Sequence, residues 1–230
     1  MTISIIIPIL NEENSIAKLL NYLIEILNPE FIKEIIIVDG GSKDRTIEIL
    51  KKYPSIKIIH SKKGRSIQMN TGAKNATSDI LYFLHCDTFP PRNFDAEIVN
   101  QVQNGNLSGC FKMKFDTNHI ILKVSQWFTQ FNFKFCRGGD QSLFIERNLF
   151  EKLNGFDENL SIYEDNELIH RLYKNSKFTV IQKSVTTSAR KYLKNGVFKL
   201  QFHFFMIHLM HRLKFKNTIL QEYYSKNIIN

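Results

Sequence analysis

Ile3-Ser4-Ile5-Ile6-Ile7-Pro8-Ile9-Leu10-Asn11-Glu12 is the stretch on which the fold turns. From Ile3 to Ile9 it is a continuous apolar run rich in β-branched side chains, ended by Pro8 and Asn11. A run of that length and composition predicts a strand buried on both faces, as in a parallel sheet. Downstream, Ile16, Leu19, Leu20, Leu23 and Leu27 recur at three- and four-residue steps, which predicts an amphipathic helix. Ile35–Val38 reads as a second strand stopped by Asp39-Gly40-Gly41, after which Ser42 is expected to cap a helix with Asp44 in its first turn. Lys57–Ile59 and Ile80–Leu84 supply a third and a fourth strand. Alternation of strand and helix over 90 residues implies an α/β fold with a doubly wound sheet. Ligands of such sheets bind at the carboxyl ends of the strands. Asn11-Glu12, Asp39 and His85-Cys86-Asp87 therefore become the positions of interest.

Pro90-Pro91 breaks the alternation, Gly138-Gly139 reads as a loop, and Glu164–Tyr173 reads as a helix with Leu168 and Leu172 on one face. The 230 residues divide into a body, 1–190, and an extension, 191–230. Charge divides the same way. Residues 1–170 carry 19 Lys+Arg and 21 Asp+Glu, whereas residues 171–230 carry 12 Lys+Arg and the single acid Glu222. A uniformly basic nucleic-acid binder is thereby excluded, and no nucleic-acid partner is expected. The extension shows an apolar stripe, Phe198, Phe202, Phe205, Leu209 and Leu213, widened by Phe204, Ile207 and Met210 and flanked by Lys199, Arg212, Lys214 and Lys216. It is shorter than the about 20 apolar residues a spanning helix needs. It is expected either to pack on the body or to lie on an anionic membrane surface through residues 197–216. His203, His208 and His211 in this stretch are read as solvated or interfacial, not as metal ligands. Three scattered cysteines, Cys86, Cys110 and Cys136, argue against a disulfide scaffold or a thiolate zinc site. No signal-peptide pattern opens the sequence, so a cytoplasmic protein, peripheral at the inner face of a membrane, is the expectation.

Carboxylates and amides at successive strand ends suit two tasks. They can hold a divalent metal, and they can accept hydrogen bonds from ribose or sugar hydroxyls. Neither a P-loop nor a G-x-G-x-x-G motif is present. In order along the chain stand Ile5–Glu12, Val38-Asp39-Gly40-Gly41-Ser42-Lys43-Asp44-Arg45-Thr46, Lys63-Gly64-Arg65-Ser66-Ile67-Gln68-Met69-Asn70 and Phe83-Leu84-His85-Cys86-Asp87-Thr88. Gly139-Asp140-Gln141, Gly155-Phe156-Asp157, Glu164-Asp165 and Ser188-Ala189-Arg190 follow. This ordered set resembles the family 2 glycosyltransferases, and within them a small subgroup with a Leu-His-Ala-Asp-Thr motif.

The resemblance implies a GT-A-type nucleotide-sugar-binding fold, with a central, mostly parallel sheet flanked by helices and followed here by an amphipathic helical extension. It also implies roles. Pro8, Asn11 and Glu12 would line the base and ribose, Asp39 would accept from base or ribose, and Gly64 and Arg65 would sit beside the nucleotide. Asp87, with His85, would hold Mn²⁺ or Mg²⁺ on the diphosphate. Asp140 and Gln141 would face sugar or acceptor, Arg190 would meet the diphosphate, and Asp165 would be the general base with Glu164 beside it. The reaction implied is inverting transfer from a nucleotide sugar to a hydroxyl acceptor, with a lipid-linked or envelope-related acceptor among the expectations. His85 stands where the wider family has an acid, so the metal site has lost one carboxylate. Two other readings compete. A nucleotidyltransferase would release pyrophosphate, but the loop Asn11-Glu12-Glu13 is acidic where a basic, glycine-rich one is expected. A non-enzymatic module docking through the basic extension would leave Asp87 and Asp165 without a role.

Overall fold

The computed structural model describes residues 1–160, 162–213 and 215–228. β1 (Ile3–Ile9), α1 (Ile16–Ile26), β2 (Ile32–Asp39), α2 (Thr46–Leu50), β3 (Lys57–His60), α3 (Arg65–Asn75) and β4 (Ile80–Phe83) carry out the alternation that the sequence predicts. All three pairings among these strands, β1 with β2, β1 with β4 and β2 with β3, are parallel. β1 stays within its strand through Pro8, because the β4 ladder ends at Ile6↔Phe83 and Pro8 has a strand neighbour on one side only. Ser42 does not cap α2. Its hydroxyl accepts from the Asn11 N–H at 2.9 Å, and Asp44 instead accepts from the Thr46 N–H at 3.0 Å to start the helix.

The chain then runs through β5 (Thr88–Phe89), α4 (Phe94–Gln103), β6 (Ser108–Phe115), α5 (Ile120–Phe128), β7 (Leu143–Glu146), α6 (Arg147–Lys152), α7 (Glu164–Asn175) and β8 (Phe178–Thr187). The eight strands form one sheet in the order β3-β2-β1-β4-β7-β6-β8-β5, with β7 antiparallel to both β4 and β6. The order 3-2-1-4 reverses direction between β1 and β4, the place where open α/β sheets leave a crevice. Two apolar clusters sandwich the sheet. One joins α1, α4 and the odd residues of β1, with Ile3, Ile5 and Ile7 fully buried. The other joins α3, α6, α7 and Ile6. Residues on both faces of β1 are therefore buried, which is why its sequence is unbroken by polar positions.

The extension forms three helices, α8 (Arg190–Asn195), α9 (Val197–Arg212) and α10 (Asn217–Asn227). Its inner residues Leu200, Ile207, Met210, Leu220 and Ile228 pack with Ile162 and Tyr163 of the body. The stripe read from the sequence faces the other way. Phe198, Phe202, Phe205, Leu209 and Leu213 are all exposed. α9 is apolar on both sides: its inner side packs on the body, and the stripe read from the sequence is left outside. Lys214, read as one of the flanking bases, lies outside the described residues.

Candidate active site

Two loops close over the carboxyl ends of β1 and β2. The Asn11 side chain accepts from the Lys43 N–H at 2.8 Å, Thr46 accepts from the Glu12 N–H at 2.8 Å, and Asp44 accepts from the Glu13 N–H at 3.1 Å. Glu13 in turn accepts from the Arg45 N–H at 3.0 Å. Asp39, at the end of β2, is buried and accepts from the Gly41 and Ser42 N–H groups at 3.0–3.2 Å, with His60 Nδ1 at 3.3 Å. Burial pushes its pKa up, but these hydrogen bonds outweigh it and hold the carboxyl below its ordinary range. Asp39 and Asn11 thus build the turn on which a ligand would lie. Beneath them Gln68 donates to the carbonyls of Ile9 and Val38, both at 2.8 Å, tying the two strand ends together. Gln68 stood inside a motif of the sequence, yet nothing there assigned it this role.

His85, Asp87, Asp140, Glu164, Asp165 and Arg65 meet at the end of β4. Arg65 follows Gly64, whose φ of +145° suits glycine at the start of α3. One Arg65 nitrogen lies 2.7 Å from Nδ1 and 2.6 Å from Nε2 of His85, and 3.3 Å from Asp165 Oδ2. Arg65 Nε lies 3.4 Å from Glu164. Desolvation would lower the Arg65 pKa, but Asp165, Glu164 and Asp140 outweigh it and the guanidinium holds its proton more firmly. Burial, and then Arg65, push His85 well below its usual value, so the ring is neutral. Arg65 thus lies against the ring of His85, the residue that the sequence resemblance sets beside Asp87.

Burial and then Asp165 raise Glu164 to about 7, with Arg65 opposing. Asp165 is raised by burial and by Asp140, again against Arg65. Two adjacent carboxylates in a dry setting share their protons as a pair. Gly139 presses on this pair: a Cβ there would collide with Asp165 Oδ2 and come within 3.1 Å of His85 Nε2. Asp87 is raised by burial and by Asp140, and lowered by Arg190 and Arg65. Glu12 is raised by burial and also feels Asp87 and Arg190. Glu12, Asp87 and Arg190 therefore share one electrostatic neighbourhood at the β1–β4 crevice. β8 reaches it directly, since the Ser188 N–H donates to the Asp87 carbonyl at 3.2 Å. A cleft of about 540 Å³, lined by Asp87, Lys18, Tyr22, Asp116 and Ser188 among others, opens beside it. A larger cavity of about 760 Å³, between α3, α6 and α7, contains none of these residues.

Asp140 is exposed at the crevice, but Gln141 is not available to a ligand. Its amide donates to the Cys136 carbonyl at 2.7 Å, and its oxygen lies 3.2 Å from Cys110 Sγ, so it holds the loop from inside. Sequence reading also missed Tyr163, which precedes the acid pair with a left-handed φ of +74°. Bulky residues adopt that conformation only when surroundings enforce it. Here His211 stacks on the Tyr163 ring at 4.0 Å, His208 meets it edge-on at 5.0 Å, and His208 Nδ1 lies 3.3 Å from its hydroxyl. Both histidines belong to α9. Their contact with Tyr163 is the interfacial alternative of the sequence reading, and a partner 45 and 48 residues away leaves no local signal.

A divalent cation is implied by this fold, and the residues present fit it. Asp87 and Asp140 are oxygen donors that repel each other, a repulsion a cation relieves. Among the described residues no group of three ligating side chains occurs. The sequence model of Glycosyl transferase family 2 matches residues 4–154, more than half of the chain. The chain belongs to this family. It is 29% identical over 195 residues to the probable glycosyltransferase YdaM of Bacillus subtilis, covering 74% of this chain and 46% of that protein. It is 34% identical over 99 residues to a dolichyl N-acetyl-α-D-glucosaminyl phosphate glucuronosyltransferase of Methanococcus voltae, covering 40% of this chain and 31% of that one. The chain thus spans less than half the length of these relatives. In fold it is similar to the mannosyltransferase PcManGT of Pyrobaculum calidifontis in complex with GDP-Man and Mn²⁺. The TM-score is 0.70 at 16% identity, over 96% of this chain and 69% of that one.

Proposed function

We propose that the protein transfers a sugar from a nucleoside-diphosphate donor to a hydroxyl acceptor with inversion, using Asp165 as general base. The observation that carries this reading is the Glu164–Asp165 pair. It is buried against Gly139, with both carboxyls raised and Glu164 at about 7, and set beside the strand end that bears Asp87. A base works best when its pKa approaches the operating pH. The acceptor oxygen attacks the anomeric carbon, the bond from that carbon to the diphosphate oxygen breaks, and the hydroxyl proton passes to Asp165. Arg65, 3.3 Å from Asp165, opposes the rise that burial imposes on that carboxyl and favours its ionised form. The diphosphate lies at the β1–β4 crevice, where Arg190 offers a guanidinium to its oxygens. Asp87 would hold Mn²⁺ or Mg²⁺ there, which supplies Lewis-acid stabilisation of the leaving charge. The Mn²⁺ and GDP-Man bound by the Pyrobaculum neighbour, and the lipid phosphate named for the Methanococcus relative, support this reading.

The test is Asp165→Asn, scored by release of nucleoside diphosphate from UDP- and GDP-sugars in the presence of Mn²⁺, with water as default acceptor. Turnover is expected to fall by about 10²–10⁴, while the thermal shift produced by the nucleotide persists. Retained turnover in that variant removes Asp165 from the role.

A further inference from the structure

Sixteen large apolar residues stand exposed among the described residues, and fourteen of them fall in two segments, 120–135 and 193–219. Only Met1 and Ile24 lie elsewhere. The first segment is α5 and the turn after it, where Trp127 packs edge-on against Phe128 and Phe131, and Phe133 stacks on Phe135 at 5.5 Å. The second is centred on α9 with its outward phenylalanines. Apolar surface concentrated in this way marks a contact site, and a helix apolar on both sides is normally covered on both.

The two segments adjoin. Near the start of α9, Val197 packs with Leu122 of α5 in one buried cluster. Near its end, His211 stacks on Tyr163, whose ring also meets His170, and Lys134 of the first segment is close enough to His170 to depress its pKa further after burial. Charge identifies the occupant. Residues 120–135 and 191–219 hold eight Lys or Arg and not one Asp or Glu. Two copies meeting through this face would set one basic margin against another, which opposes self-association. An anionic lipid surface satisfies both features, with phenylalanines in the acyl boundary and lysines among the headgroups. No described helix is long and apolar enough to cross a membrane, so the surface would lie on the bilayer.

We infer that α9 and the 120–135 segment together form one docking face for an anionic lipid bilayer. On its opposite, body-facing side α9 meets Tyr163, the residue before Glu164 and Asp165. The docking face does not depend on the glycosyl-transfer reading.

The test is co-sedimentation of the intact chain with vesicles of phosphatidylcholine alone or with 30 mol% phosphatidylglycerol (about the anionic content of a charged leaflet). Binding is expected only with the anionic lipid and is expected to weaken in high salt. Phe202→Ser and Phe133→Ser, one in each segment, should each lower partitioning roughly tenfold, as loss of a buried aromatic does. Both should keep the nucleotide-induced thermal shift, which reads the donor site independently. No binding to anionic vesicles overturns the proposal. So does a Phe133→Ser variant that binds as the parent does, since it leaves α9 acting alone. A concentration-dependent dimer abolished by Phe202→Ser would assign the face to a second copy and overturn it equally. Loss of turnover in Asp165→Asn, or its retention, bears on the chemistry and leaves the vesicle result standing.

Discussion

At the ends of β1 and β2 the backbone N–H groups of Asn11, Glu12, Glu13, Lys43 and Arg45 each find a side-chain acceptor in the facing loop. Around Glu164 and Asp165 the arrangement is the reverse. Two acids repel each other in a dry setting, the residue before them is forced into left-handed backbone, and the groups that restrain them come from α3, from the Gly139 loop and from α9. The first wall is locally self-sufficient and rigid. The second is locally unfavourable and is maintained by the rest of the molecule, the usual state of catalytic groups.

That contrast can be broken most severely at Gly139. Gly139→Ala sets a methyl group against Asp165 Oδ2, so turnover should fall at least as far as in Asp165→Asn, about 10² or more. Circular dichroism and nucleotide binding should stay near the parent's. Loss of nucleotide binding instead would show that the two walls are not independent. A smaller effect is expected at the clasp. Tyr163→Ala should lower kcat about tenfold with little change in the donor KM, because it loosens the acids without touching the β1 and β2 loops. Tyr163→Phe, which keeps the ring stacked on His211, should recover most of that loss. The rigid wall answers to stability alone. Gln68→Ala removes the buried amide that bridges the Ile9 and Val38 carbonyls, of which Ile9 keeps the Gly40 N–H, and should cost about 1–3 kcal/mol in denaturant unfolding.

The smallest effect is one of pH. Glu164 rises from 4.5 in the unfolded chain to about 7 in the fold. Its contribution to stability is therefore full below 4.5 and is lost as pH climbs through 7. Glu164→Gln should match the parent's melting temperature near pH 4 and exceed it by a few degrees at pH 8. In the parent, activity should decline on the acid side nearer neutrality than an ordinary carboxylate would give.

The same contrast explains what the sequence could say. The strand ends were legible because each local pattern, an apolar run followed by Asn, Asp or Gly, agrees with the structure around it. The parallel sheet, the crevice and the helix that opens with Glu164-Asp165 followed from such patterns. The second wall was legible only as a list of acids. Nothing near Tyr163 announces positive φ, and nothing in the spacing of His208 and His211 points back to residue 163. Gln141 sits in a motif that suggests ligand contact, yet burial turns it inward onto Cys110 and Cys136. The outward stripe of α9 stayed open between body packing and a membrane surface for a related reason. Periodicity reports that a face is apolar but not what covers it, and α9 is apolar on both sides.

The clasp on Tyr163 also sets an order of assembly. A chain made from its N-terminus has β1, β2 and β4 in hand after 83 residues, and with them the crevice. The ring stacked on Tyr163 arrives only with residue 211. Domains fold as their segments emerge, so a growing chain acquires the β1 and β2 strand ends early and the surroundings of the acid pair among the last of its features. Asp165 and Arg190 also follow residue 160, so a chain cut there would carry the first wall without the proposed base or the proposed diphosphate contact.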